Sequence, residues 1–294
     1  MGDDEGGDLM ADGDLRGYGV LVTGGGTGIG RACAEALAAD GAVVTICGRT
    51  ASRLTDAVDR IRPGHGGSVH HMVAEVTSED DVRAAVAATV ANAGNLRGVV
   101  ANAGGGGGLG PYHLQDLAQF EAVLRLNVIG TMLCVKHAVP EMVASGGGSF
   151  VGMSSIAGHQ NHVHFGAYPV AKAGIEAMMR NAADEFGRSN VRFNAIRPGF
   201  IATEMMEFVP RDSEVYAGYV RNTPLAPTSD TGVGAPSDVG ALARFLVGPE
   251  SRWITGTAIN VDGGQALRAG PDFSPFIAPS LGDEVMAGNR PGDG

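Results

Sequence analysis

The stretch YGVLVTGGGTGIG, residues 18–30, decides the fold: a short β-branched run enters a turn built almost wholly of glycine. RACAEALAAD follows at 31–40, a run of helix formers. In such a strand–turn–helix unit the first N–H groups of the helix have no partner and point into the turn. Glycines there let an anion come close to the backbone. A dinucleotide phosphate is the ligand this arrangement suits, with Gly24, Gly26, Thr27, Gly28, Ile29 and Gly30 as its cradle.

The pattern repeats outward from this unit. Residues 18–23, 42–47, 68–74, 97–101, 148–153, 191–196 and 257–261 read as seven buried strands, separated by segments of helical length. The expectation is an α/β fold of one domain, a Rossmann-like, doubly wound, seven-stranded parallel sheet with helices on both faces. Its bounds are 16–264, between an acidic tail at 1–15 that is expected to stay unfolded and an extension at 265–294. Composition narrows the function. Lys plus Arg is 21 against 32 acids, a net charge of -11, which provides no basic face for nucleic acid. Unbroken apolar runs fall short of the ~20 residues that span a bilayer, and the acidic N-terminus lacks the order of a secretory signal. A cytoplasmic protein without a membrane partner is expected. Cys33, Cys47 and Cys134 read as reduced core residues.

At the end of the second strand an acid would grip the 2′-hydroxyl of NAD and repel a 2′-phosphate. That position is the neutral Gly48, and Arg49 follows, so NADP is expected before NAD.

The glycine turn has the spacing GxxxGxG, and on it the chain resembles the short-chain dehydrogenase/reductase family, whose first turn reads TGxxxGIG. The resemblance runs over about residues 16 to 264. It implies cofactor contacts from Glu75 and Val76 after the third strand, from Asn102, Ala103 and Gly104 in an NAG element, and from Pro198, Gly199, Ile201 and Thr203 in a PG motif. It also implies a catalytic set of Asn127, Ser155, Tyr168 and Lys172. Tyr168 and Lys172, four apart, share one face if 168–187 is helical, as apolar residues at 171, 175, 178, 179, 182 and 186 suggest. Pro169 then belongs in the first turn. Ser154 competes with Ser155 for the serine role, and the family's thirteen-residue offset to the tyrosine favours Ser155.

Hydride chemistry at a carbon requires a proton moved on or off its oxygen, and a phenol with pKa near ~10 is a poor base at neutral pH. Lys172 is expected to lower that pKa and to hold the nicotinamide ribose. Ser155 is expected to orient the substrate oxygen, and Asn127 to hold a water leading from Lys172 to solvent. The implied activity is NADP-linked interconversion of a carbonyl and a secondary alcohol by a homotetramer. A dinucleotide-binding sensor without turnover, a 3-oxoacyl thioester reductase and a reductase of carbon–carbon double bonds are the alternatives.

The glycines at 104–108 form either a mobile or a closely approached loop. Residues 204–235, with Met205, Met206, Phe208, Val209, Tyr216 and Tyr219, read as an apolar lid or a helix packed on the core. Phe273, Phe276 and Ile277 mark the extension either as a loose tail or as an arm that docks on a neighbouring subunit or roofs a pocket. His159, His162 and His164 have no cysteine beside them and are expected to face substrate or solvent, with no metal bound. His70 and His71 alternate along a strand and cannot share a face.

Overall fold

The computed structural model describes residues 14–268 and 273–290. Seven parallel strands form one sheet in the order β3-β2-β1-β4-β5-β6-β7. They are β1 (Gly19–Thr23), β2 (Val43–Gly48), β3 (Ser68–Val73), β4 (Gly98–Ala101), β5 (Gly148–Met153), β6 (Val191–Pro198) and β7 (Ala258–Val261). Each agrees with its expected strand to within two residues.

Period-two alternation sends neighbouring side chains to opposite layers. Leu21 and Val99 join one core with α3 (Glu79–Ala93), α5 (Gly130–Ala144) and α6 (Ala167–Phe186). Val20, Val22 and Val100 join the other with α1 (Gly28–Ala39), α2 (Ala51–Arg60) and α8 (Pro236–Val247). Both faces of the sheet are thereby covered, which is why β1 and β4 are buried along their whole lengths. The third strand departs from expectation. β3 is the sheet edge, with His70, His71 and Val73 exposed, because only one strand flanks it.

Leu15, assigned to the acidic tail, is fully buried, and its N–H donates to the Asp40 carbonyl. Packing therefore begins one residue earlier than 16; residues 1–13 of the tail lie outside the described residues. The three cysteines are free and buried, and burial pushes the Cys33 and Cys47 thiols up to about 12.

The chain winds outward from β1 to β3, then crosses back to β4 on the other side of β1. This reversal opens a crevice at the carboxyl ends of the strands, beside the glycine turn. Helix α4 (Leu117–Leu124), a π-helical turn (Arg125–Ile129) and α5 form one continuous run. By length and composition it could cross a bilayer; here Leu133, Cys134, Ala138 and Met142 turn into the core.

Candidate active site

The glycine turn is shaped by contacts that leave no room for side chains. A Cβ on Gly30 would stand 2.2 Å from the Gly24 carbonyl oxygen, and one on Gly24 would meet Asn102 Nδ2 at 2.9 Å. Gly24 and Gly28 also have φ of +65° and +50°, a region that glycine enters at least cost. Asn102 Nδ2 donates to the Thr23 and Gly24 carbonyls, and the Ala103 N–H donates to Thr23 Oγ1. The ends of β1 and β4 are thus tied together under the turn. Thr27 makes no side-chain cap, so the first N–H groups of α1 stay available to an anion.

A cavity of about 320 Å3 runs from this turn to the start of α6. Of the residues expected to touch the cofactor, all but Gly26 line it. Gly26 instead faces α2, where its Cβ would lie 3.3 Å from the Arg53 Cβ. Arg53 itself lines the cavity with Gly48 and Arg49, and sequence reasoning missed it. Its signal was a second arginine one helical turn beyond the first. The Arg49 guanidinium lies 3.7 Å from the Glu75 carboxylate, so these two expected contacts form a loose ion pair at one end of the groove. The groove fits a dinucleotide by its bare backbone, its open helix N-terminus and its cationic far end.

A second cavity, of about 310 Å3, adjoins the first. Ser155, Tyr168, Gly199, Met205 and Met206 belong to both walls. Ser155 lies two residues beyond β5 and accepts from the Ala157 N–H at 3.2 Å; Ser155 and Tyr168 share a side-chain hydrogen bond. Helix α6 begins at Ala167, so Pro169 occupies its first turn, where its missing N–H costs no helical bond. The fold also separates the two serines. Ser154 points inward and donates to Glu176 Oε1 at 2.8 Å and to the Lys172 carbonyl at 3.0 Å. Glu176 in turn holds Arg197 through two bonds of 2.6 and 2.5 Å, so the buried side of α6 is pinned to β6.

Lys172 is 4% exposed and donates from Nζ to the Met153 carbonyl at 2.8 Å, with Nζ 5.3 Å from the centre of the Tyr168 ring. Burial lowers its pKa to about 8. The expectation that Lys172 brings the phenol down is corrected. Burial pushes Tyr168 up to about 12, against the pull of the Ser155 hydrogen bond, while the ammonium donates to the Met153 carbonyl. Tyr168 is therefore a protonated phenol at neutral pH.

Asn127 lies in the π-helical turn and is fully buried. Its amide accepts from the Gly105 N–H at 3.3 Å and donates to the Gly105 carbonyl at 2.9 Å, and a Cβ on Gly104 would come within 2.5 Å of its Oδ1 and 3.2 Å of Lys172 Nζ. The Asn127 side chain thus holds the glycine loop, and Asn127 lines neither cavity. The loop is of the closely approached kind: Gly106 and Gly107 wall the second cavity, and a Cβ on Gly107 would meet Val123 at 2.6 Å.

Met205, Met206, Phe208 and Tyr219, the last from α7 (Glu214–Asn222), cover that cavity. The extension packs on its own chain. Phe273, fully buried, stacks on Phe165 at 4.9 Å and meets Tyr219 edge-on at 6.4 Å, and α9 (Ser274–Leu281) and α10 (Asp283–Met286) follow it. Of the three clustered histidines only His162 lines the cavity. No group of three or more potential metal ligands gathers among the described residues.

Comparison with known proteins agrees with this geometry. A family model described as enoyl-(acyl carrier protein) reductase matches residues 24–266. Cis-4-hydroxycyclohexanecarboxylate dehydrogenase of Sinomonas cyclohexanicum is 34% identical over 245 residues, 83% of this chain and 95% of the relative. The structure of a short-chain type dehydrogenase/reductase from Mycobacterium ulcerans superposes with a TM-score of 0.89 at 43% identity, covering 94% of this chain and all of that one. That of a 7α-hydroxysteroid dehydrogenase complexed with NADH and 7-oxo glycochenodeoxycholic acid gives 0.79 at 30% identity, covering 85% and 95%. With a glycine cradle, a shared serine–phenol wall and matches along nearly the whole sheet, the chain belongs to the short-chain dehydrogenase/reductase family of oxidoreductases.

Proposed function

We propose that this chain reduces a ketone to a secondary alcohol, and runs the reverse oxidation, with NADP(H) as the hydride carrier. The observation that carries the reading is the common wall: Ser155 and Tyr168 face both the dinucleotide-shaped groove and the apolar cavity. Bound in the groove, the reduced cofactor would supply a hydride to the carbonyl carbon. Tyr168, protonated, gives its proton to the carbonyl oxygen, and Ser155 steadies that oxygen with its hydroxyl. Lys172, with a pKa brought near neutrality, is suited to return a proton to the phenol side of the site.

The residues at the end of β2 support NADP(H). Gly48 offers no acid to grip a 2′-hydroxyl, and Arg49 and Arg53 provide two guanidiniums for a phosphate, with Glu75 as the carboxylate that Arg49 would have to release. The cyclohexane and steroid substrates in the names of the relatives support a carbocyclic ketone or alcohol that suits the apolar cavity. The same names favour alcohol and ketone chemistry over the double-bond reduction in the family model's description. Exposed Leu117, Ile129, Met132 and Val170 give α4 to α6 an apolar outer surface that the expected homotetramer would cover.

A panel of cyclic ketones and alcohols, offered with each dinucleotide and followed at the nicotinamide absorbance, tests the reading. Tyr168→Phe is expected to lower turnover by about 10²–10⁴-fold while dinucleotide binding, measured by fluorescence titration, stays unchanged. Undiminished turnover in that variant would remove the phenol from the mechanism and the proposal with it.

A further inference from the structure

Besides the Tyr219 phenol, the apolar cavity holds an imidazole that the reaction does not use. His162 is 8% exposed, lines the wall, and stacks on Phe165 at 5.9 Å, while Phe165 leans on Tyr168 at 5.0 Å. One aromatic ring thus separates the imidazole from the reacting phenol. His162 Nδ1 lies 3.0 Å from the Gln160 carbonyl oxygen. A carbonyl only accepts, so Nδ1 carries the proton. Gln160 is itself held, its N–H donating to the Ile156 carbonyl at 2.7 Å and its side chain to the Arg268 carbonyl, so this tautomer rests on a fixed partner. Burial lowers the pKa of the ring, which favours its neutral form. The other nitrogen, Nε2, is then a lone-pair acceptor with no protein partner among the described residues, on a side chain that stacks on Phe165 and lines a cavity whose wall also holds Leu109, Phe200, Met206 and Phe208.

An acceptor on the wall of such a cavity loses its water when an apolar substrate fills the space, and left unpaired it then costs roughly 1–3 kcal/mol. No charged side chain lines this cavity among the described residues, so an ionised substrate group would also be left without a counter-charge. We propose that the substrate is a neutral hydroxyketone, or the matching diol, on an apolar frame, and that its second hydroxyl donates a hydrogen bond to His162 Nε2. His162 is then a specificity-determining residue: it selects the compound that satisfies its lone pair and stays outside the hydride and proton transfers. The proposal rests on the carbonyl-reductase reading and refines it. It also separates this chain from a relative named for a carboxylate substrate.

The test uses the full chain with NADPH and four probes: cyclohexanone, 3-hydroxycyclohexanone, 4-hydroxycyclohexanone and 4-methoxycyclohexanone. The methoxy compound matches the hydroxyl in position but cannot donate. The wild type is expected to favour at least one hydroxyketone over both cyclohexanone and the methoxy ketone by about tenfold or more in kcat/KM. In His162→Leu that ratio is expected to fall to about one, and His162→Gln, whose amide oxygen also accepts, is expected to recover part of it. Because the readout is a ratio within each variant, a general loss of folded protein does not imitate the effect. Turnover without a hydroxyl preference, or a preference that survives in His162→Leu, overturns this inference alone. Turnover of none of the four ketones, with either dinucleotide, overturns the functional reading and this inference together.

Discussion

The two cavities that meet at Tyr168 are built on different plans. The dinucleotide groove takes much of its wall from the carboxyl ends of strands: the glycine turn after β1, Asn102 to Gly104 after β4, and Pro198 at the end of β6 with Gly199. Its shape follows from missing side chains and from hydrogen bonds between neighbouring strands. The substrate cavity is walled by side chains from four distant segments, at 106–109, 155–168, 199–219 and, behind them, Phe273. Its shape follows from how rings and methionines pack. A groove of the first kind can be read from spacing along the chain; a pocket of the second kind exists only once the chain has folded.

Three substitutions can break or sharpen this contrast. Phe273→Ala has the largest expected effect, because removing a fully buried ring typically costs about 3–5 kcal/mol. The loss is expected to fall on the substrate side, as a raised KM for ketone and faster hydrogen exchange in 200–222, with dinucleotide affinity unchanged. A parallel drop in dinucleotide affinity would show that the two halves are not separate. Gly30→Ala is the converse. A Cβ only 2.2 Å from the Gly24 oxygen forces the turn to shift, at about 1–3 kcal/mol. Calorimetric titration should record weaker binding of both dinucleotides, by about 10- to 100-fold, while the aromatic cluster keeps its exchange protection. Arg49→Ala is the mildest and sharpest probe: NADPH affinity is expected to fall about tenfold and NADH affinity hardly at all, consistent with the loss of one exposed charge-assisted contact. Equal losses for the two dinucleotides would remove the case for NADP(H).

The same contrast explains what was legible beforehand. The strands and the crevice followed from alternation and from one glycine turn, both local properties. Tyr168 and Lys172 were legible because helical spacing puts residues four apart on one face, and Ser155 because it stands at a strand end. What escaped depended on packing across the chain. The burial of Leu15 is decided by Asp40 and the core around α1. The grip of Asn127 on Gly105 depends on a π-helical turn that no periodicity announces. The upward shift of the Tyr168 phenol depends on how deeply the folded chain buries it. His162, unlike its neighbours His159 and His164, is buried in the cavity wall, and which of three histidines the fold buries is not written in composition.

Phe276, Phe273, Phe165 and Tyr168 stand in file, with successive ring centres 6.1, 4.9 and 5.0 Å apart. The file carries the influence of the carboxyl-terminal segment to the reacting phenol, with no described residue of the tail lining the cavity. Changes in that segment can therefore alter the tilt of the phenol, and with it stereochemical preference, while every atom that grips the cofactor keeps its place. For an enzyme lineage, such an arrangement makes the end of the chain a place where selectivity can drift while the inherited chemistry is conserved.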